Sequence, residues 1–195
     1  FTSGGQAITD VYLKGKISIN KGAKLTITGL TLHFKENEII QMSYNANGIG
    51  SRLFLYNSKL TAFDECESSK MWGGIRCSGN SSQPQGLYGS SKQPYTYMSN
   101  STIEFATIGV TANTGGIVRA FNSNFKDNIR DVRFLVFTVN NNISEFATCN
   151  FYTTEALYAK GASPVCHAEI LVAPGVLFEA CNFSNDYATS VPLAQ

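Results

Sequence analysis

Charge is scarce in this sequence. Asp, Glu, Lys and Arg together make up 15% of the 195 residues, well below the usual share in a globular chain. The polar surface must therefore be built from Asn, Ser, Thr and Gly, as on many extracellular β proteins. The net charge of +1 supplies neither a basic field for nucleic acid nor an acidic tail. No apolar run is long enough to span a membrane as a helix. No secretory signal is visible in the stretch either. The chain opens Phe1-Thr2-Ser3-Gly4-Gly5, with no charged n-region or apolar h-region, and reads as a mature chain or a piece of a longer exported one. Capped amphipathic helices are lacking too. The five cysteines, Cys66, Cys77, Cys149, Cys166 and Cys181, include no CxxC pair. That spacing excludes a CxxC-type zinc site, and five is too few for a disulfide-dense miniprotein.

Hydrophobic residues reach 43%, enough for a folded core. They are organised by a repeat. A small or polar residue, then Ser or Cys, a polar residue and an apolar one recur as Asn57-Ser58-Lys59-Leu60 and Asn100-Ser101-Thr102-Ile103. Further copies are Asn122-Ser123-Asn124-Phe125, Thr148-Cys149-Asn150-Phe151 and Ala180-Cys181-Asn182-Phe183, with Gly29-Leu30-Thr31-Leu32 as a looser first one. The final apolar positions are separated by 28, 43, 22, 26 and 32 residues. These steps suit one coil of a parallel β-solenoid; the longest holds two coils, or one with a large loop.

Side chains alternate along a strand. Ser or Cys and the apolar residue therefore face inward, giving a Phe125, Phe151 and Phe183 ladder beside aligned Ser123, Cys149 and Cys181. Lys16–Ile19, Lys24–Thr28, Ile39–Met42, Arg52–Leu55, Gly116–Arg119, Val132–Val136 and Glu169–Val172 read as other sides of the coils. Asn, Asp and Gly mark the corners. The expected fold is all-β, a right-handed parallel β-helix of about six or seven coils, with residues 1–195 forming one domain.

Residues 78 to 95 depart from this pattern. The stretch is rich in Gly, Ser, Gln and Pro and reads as a long excursion, functional or disordered. Cys66 and Cys77 flank one loop and are the candidate disulfide, two buried thiols being the alternative.

The segment Met71-Trp72-Gly73-Gly74-Ile75-Arg76-Cys77-Ser78-Gly79-Asn80, with Gln85 beyond it, resembles secreted β-helix surface proteins of Bacteroidota. So do Asn100 to Val110, Gly115-Gly116-Ile117 and Asn122 to Asn128, and Gly22 to Gly29 resembles that family's first coils. The resemblance covers roughly residues 15 to 185. It implies a β-helix exported as type IX secretion cargo to the cell surface. No sorting domain is visible, so the chain would be a fragment or processed part of a larger protein.

Parallel β-helices also carry polysaccharide-cleaving enzymes, which is analogy of fold alone. A glycosidase needs two carboxyl groups facing one sugar bond. Glu104, Asp127 and Asp131 are the candidates, with turn acids capping backbone amides as the plainer reading. The Asp-Asp and Gly-His-Gly runs of polygalacturonases are absent. Asp64, Glu65 and Glu67 form an acidic cluster where Ca²⁺ is conceivable; no other cofactor is implied. His33 and His167 lack a metal-ligand spacing and read as surface or packed residues. Asn80, Asn100, Asn142 and Asn182 begin N-x-S/T sequons, of consequence in a secreted eukaryotic protein.

Trp72, the sole tryptophan, either stacks on a ligand or anchors the loop. With Gln83, Gln85, Tyr88, Tyr95 and Tyr97 it makes a set suited to sugars or to a protein surface: aromatic planes meet sugar faces and amides reach hydroxyls. The reading from sequence is a non-catalytic surface module for adhesion, glycan or protein binding, or assembly. A polysaccharide lyase or hydrolase is the alternative. Solenoid ends expose strand edges, so end-to-end self-association or neighbouring domains are expected.

Overall fold

The first residue of each repeat is a corner. In the computed structural model Asn57, Asn100 and Asn122 have φ of 48°, 48° and 46°, and Gly29, Thr148 and Ala180 take the same left-handed conformation. Asn and Gly reach this region at least cost. The N–H of the first five corners then donates to a carbonyl of the next coil, as Asn57 does to Ser99 and Asn100 to Phe121.

The structure describes residues 9–63, 70–86 and 90–186, together with an N-terminal antiparallel ribbon of β1 (Thr2–Ser3) and β2 (Gln6–Ala7). The coils then follow in order. The first holds β3 (Asp10–Leu13), β4 (Ile17–Ile19) and β5 (Lys24–Thr28), and the second β6 (Thr31–Phe34), β7 (Ile39–Ser43) and β8 (Arg52–Tyr56). The third holds β9 (Lys59–Ala62), β10 (Gly74–Ser78) and β11 (Tyr95–Ser99), and the fourth β12 (Thr102–Glu104), β13 (Ile108–Asn113) and β14 (Ile117–Phe121). The fifth holds β15 (Asn124–Lys126), β16 (Arg130–Phe134) and β17 (Glu145–Ala147). The sixth holds β18 (Asn150–Thr153), a one-turn helix α1 (Glu155–Ala159), β19 (Cys166–Ile170) and β20 (Leu177–Glu179); β21 (Asn182–Asn185) opens a seventh.

Every third strand pairs in parallel with the one before it. The first sheet runs β3-β6-β9-β12-β15-β18-β21, the second β4-β7-β10-β13-β16-β19, and the third β5-β8-β11-β14-β17-β20. Three parallel sheets wound about one core make the right-handed parallel β-helix the repeat implies. The 43-residue step is one coil with two insertions, since β10 lies between β7 and β13 and β11 between β8 and β14. Helix α1 departs from the sequence reading. Thr154 caps it, its hydroxyl accepting from the Ala156 N–H. One turn is too short to show an apolar period, so the sequence pattern carries no sign of it.

Ser58, Ser101 and Ser123 stack directly after the corner. Each hydroxyl donates to the carbonyl two residues back and accepts a backbone N–H from the coil before, as Ser101 does from Ser58 and Ser123 from Ser101. Cys149 continues the column, its thiol donating to the Ala120 and Ala147 carbonyls. Inside, the Phe125 and Phe151 rings stack at 4.8 Å and 5°, and Phe151 and Phe183 at 4.7 Å and 9°. The ladder follows from register: Phe125 is level with Phe151, and Phe151 with Phe183.

Phe151 lies between two rings and is fully buried. Phe151→Ala should cost about 3–5 kcal/mol by opening a cavity in the ladder. Phe183→Ala, at 45% exposure, should cost well under half as much. Urea denaturation of dilute protein measures both; equal losses would contradict the ladder.

Candidate functional site

Three outward columns of the third sheet gather aromatic rings. Leu53 and Leu55 of β8 point inward, so Phe54 and Tyr56 point out; Thr96 and Met98 of β11 point inward, so Tyr95 and Tyr97 point out. Register sets Tyr97 level with Phe54, and Phe121 one coil further along the neighbouring column. The centroids lie 6.2 Å apart for Phe54 and Tyr97, 5.7 Å for Tyr56 and Tyr97 and 5.6 Å for Tyr97 and Phe121. Phe54, Tyr95 and Ile117 are buried as a small second core, while Tyr56, Tyr97 and Phe121 are half-exposed along its rim.

Cations edge this patch. The Lys24 ammonium sits 4.9 Å from the Phe54 centroid and the Arg119 guanidinium 5.3 Å from that of Phe121. Arg119 also pairs with Glu145 on the next coil. Arg52 is buried beside Tyr95, and its guanidinium donates to the Gly50, Ser51, Ser91 and Gln93 carbonyls.

The residues singled out from sequence divide between this face and the interior. Tyr97 is on the patch and Tyr95 beneath it. Trp72 is not on any face, which corrects its reading as a ligand platform. It is fully buried, stacks on Phe34 at 4.5 Å and donates its indole N–H to the Glu104 carbonyl. Gln85 is also internal, and so is Gln93 of the same insertion. Gln85 donates to the Gly115 and Gly116 carbonyls and accepts the Ile143 N–H. Gln93 accepts from the Asn80 N–H and donates to the Asn80 and Gln83 carbonyls. These amides satisfy backbone groups in the excursion, so they are unavailable to sugar hydroxyls. Gln83 is half-buried there. Tyr88, Cys66 and the Asp64, Glu65 and Glu67 cluster lie outside the described residues. Cys77 is a free thiol in the core, donating to the Pro94 and Ile117 carbonyls, and burial pushes its pKa up to about 12.

The three acids have internal partners. Glu104 takes the Lys59 ammonium at 2.6 Å and the Thr61 hydroxyl at 3.0 Å. Asp127 accepts the Thr154 N–H at 2.6 Å and its hydroxyl at 3.0 Å, tying β15 to the start of α1. Asp131 accepts from the Asn128 amide at 2.8 Å and meets His167 Nδ1 at 2.6 Å. Sequence distance hid that last pair: the two residues are 36 apart and become neighbours through β16–β19 register. The other histidine, His33, reaches Asp10 at 2.9 Å and stacks on Tyr12 at 4.5 Å. Hydrogen bonds from His33 and Thr9 hold the Asp10 carboxyl below its ordinary range.

The hydrogen bond to Asp131 raises the His167 pKa, against the opposing effect of burial. Burial pushes Asp131 up to about 6, although His167 and Asn128 oppose it. Pro164, Val165, Cys166, His167 and Asn185 line a shallow recess of about 250 Å³ beside the pair.

No family model, curated protein or solved structure matches the chain.

Both shifts mean that the folded state holds protons more tightly than the unfolded chain. The His167 contribution is fully present below about pH 6.5 and is lost as pH rises through its raised folded value. Asp131 acts in the same sense between its ordinary 3.8 and about 6, its cost growing as the carboxyl ionises. Melting temperature should therefore fall from mildly acidic to mildly alkaline pH. His167→Gln should flatten the fall above about pH 6.5. Parallel slopes in wild type and variant would exclude this origin.

Proposed function

We propose that the chain is a non-catalytic extracellular or cell-surface module that binds neutral glycan on the aromatic face of its third sheet. The observation that carries this reading is the half-exposed rim of Tyr56, Tyr97 and Phe121 over a buried aromatic base, held by strands of adjacent coils. Rings fixed on stacked strands need little ordering on contact, and flat π faces suit the apolar faces of sugar rings. Tyr56 and Tyr97 carry their own O–H, and the two cations at the edge are engaged, Arg119 by Glu145 and Lys24 by the Phe54 ring. A neutral ligand needs no counter-charge at such a site.

The internal engagement of Glu104, Asp127 and Asp131 supports binding over cleavage of a glycan. The composition and the resemblance to exported β-helix proteins support an extracellular setting. Partners in this reading are a glycan at the face and, at the ends, another solenoid.

The test is binding of neutral polysaccharides by affinity electrophoresis, with product analysis alongside. Tyr56→Ser with Tyr97→Ser should weaken retention by about tenfold or more, each lost stacking contact contributing on the order of 1 kcal/mol. Circular dichroism should remain that of the wild type, and no oligosaccharide should be released. Unchanged retention in the double variant would sink the site; released product would sink the non-catalytic reading.

A further inference from the structure

Three successive coils each offer one half-exposed ring on the third sheet. On the second coil Phe54 is buried and Tyr56 half-exposed; on the third Tyr95 is buried and Tyr97 half-exposed; on the fourth Ile117 is buried and Phe121 half-exposed. Tyr56 and Phe121 belong to one outward column, with Ser99 level with both and between them. Ser99 is small, which leaves room for the Tyr97 ring of the neighbouring column to lie 5.7 Å from Tyr56 and 5.6 Å from Phe121. The row therefore runs parallel to the solenoid axis, one ring for each coil rise of about 4.8 Å. Past Tyr56 the column reaches the exposed Thr28, and past Phe121 it reaches Ala147, beside Glu145. The aromatic track is thus three coils long and polar at both ends.

What lies on such a row must show an apolar face at every step. A pyranose whose hydroxyls are all equatorial has axial C–H groups on both faces, so either face meets an aromatic plane. Equatorial 1,4-linkage turns successive units over but keeps the chain straight, and each unit still faces a ring. An axial linkage curves the chain and carries the next unit away from the row. Successive ring planes are tilted by 46° and 36°. That tilt suits one isolated chain, which can twist, and not the flat face of a crystalline polysaccharide. Arg119, 5.3 Å from the Phe121 centroid and paired with Glu145, flanks the far end with groups that meet hydroxyls rather than ring faces.

We propose that the ligand of this face is a single β-1,4-linked chain of gluco- or xylo-configured sugars, lying parallel to the solenoid axis with one unit on each of Tyr56, Tyr97 and Phe121. The proposal rests on the glycan reading of the face and narrows it to a linkage, a configuration and a direction.

The experiment is isothermal titration calorimetry of the full chain with cello-oligosaccharides of two to about six glucose units. Malto-oligosaccharides of equal length, which differ in linkage alone, are the comparison. Affinity for the cello-series should rise about fivefold from two units to three, as the third ring is reached, and level off beyond about four. The malto-series should bind at least about tenfold more weakly. Phe121→Ser should remove the gain from the third unit and leave the two-unit ligand within about twofold, because Tyr56 and Tyr97 remain. Microcrystalline cellulose should not retain the protein. Equal affinity for the two linkages, a gain from the third unit that survives Phe121→Ser, or retention on the crystalline form overturns the proposal. If the same ligands are then still weakened by Tyr56→Ser with Tyr97→Ser, the glycan face itself stands. No binding of either series also overturns the proposal, and retention on the other neutral polysaccharides decides the face separately.

Discussion

Parallel in-register pairing sets the conditions for every side chain in this protein. Adjacent strands stand about 4.8 Å apart, so each residue spends its folded life beside the residue at the same position one coil away. A column works when its members tolerate one another at that distance. Phenylalanine stacks, serine relays hydrogen bonds, and asparagine does the same on the outside, as Asn150 does to Asn124 at 3.0 Å. Like charges do not. The scarcity of charge follows from this, and where two charges of paired strands stand level they are opposite in three of four cases: Glu104 with Lys126, Arg119 with Glu145, Arg133 with Glu169. Lys24 beside Arg52 is the exception. The Arg52 charge is taken up by backbone carbonyls, and Lys24 leans over Phe54.

The same constraint builds the outer surfaces. A column of small polar residues makes a flat, self-satisfied face, whereas two outward aromatics in one strand gain most when the next coil repeats them. Phe54 is answered in register by Tyr97, while Tyr95 stands level with Arg52 and Tyr56 with Ser99, and together the rings make one patch thick enough to bury its own base. The long insertion beside it is held by buried glutamine amides and the Arg52 guanidinium. Glutamines that would look like ligand contacts on a loop are here the loop's internal fastening.

Stacking also explains the ends. A globular core closes on itself, but a solenoid core is a column whose last layer has no successor. Among the described residues, the interior that seals Phe146 and Phe151 runs on to Phe178 and Phe183, which are partly exposed.

The repeat made the coil architecture legible, because its period and its alternation act locally and survive in the string. Corner asparagines, inward Ser and Cys, and the Phe125–Phe151–Phe183 ladder could all be read that way. The outer site could not. Tyr97 and Phe54 are 43 residues apart, and two insertions of unequal length stand between their strands. Asp131 and His167 are separated likewise, by the turn of α1. Trp72 proved the packed anchor of its two readings, and Gln85 was misplaced, for a related reason: residue type states what a side chain can do, while burial decides what it does. The sequence by itself determined the winding and which side of each strand faces the core, since both follow from a period. Which residues meet across coils was decided by the register that the insertions leave, and that exists only once the strands have stacked.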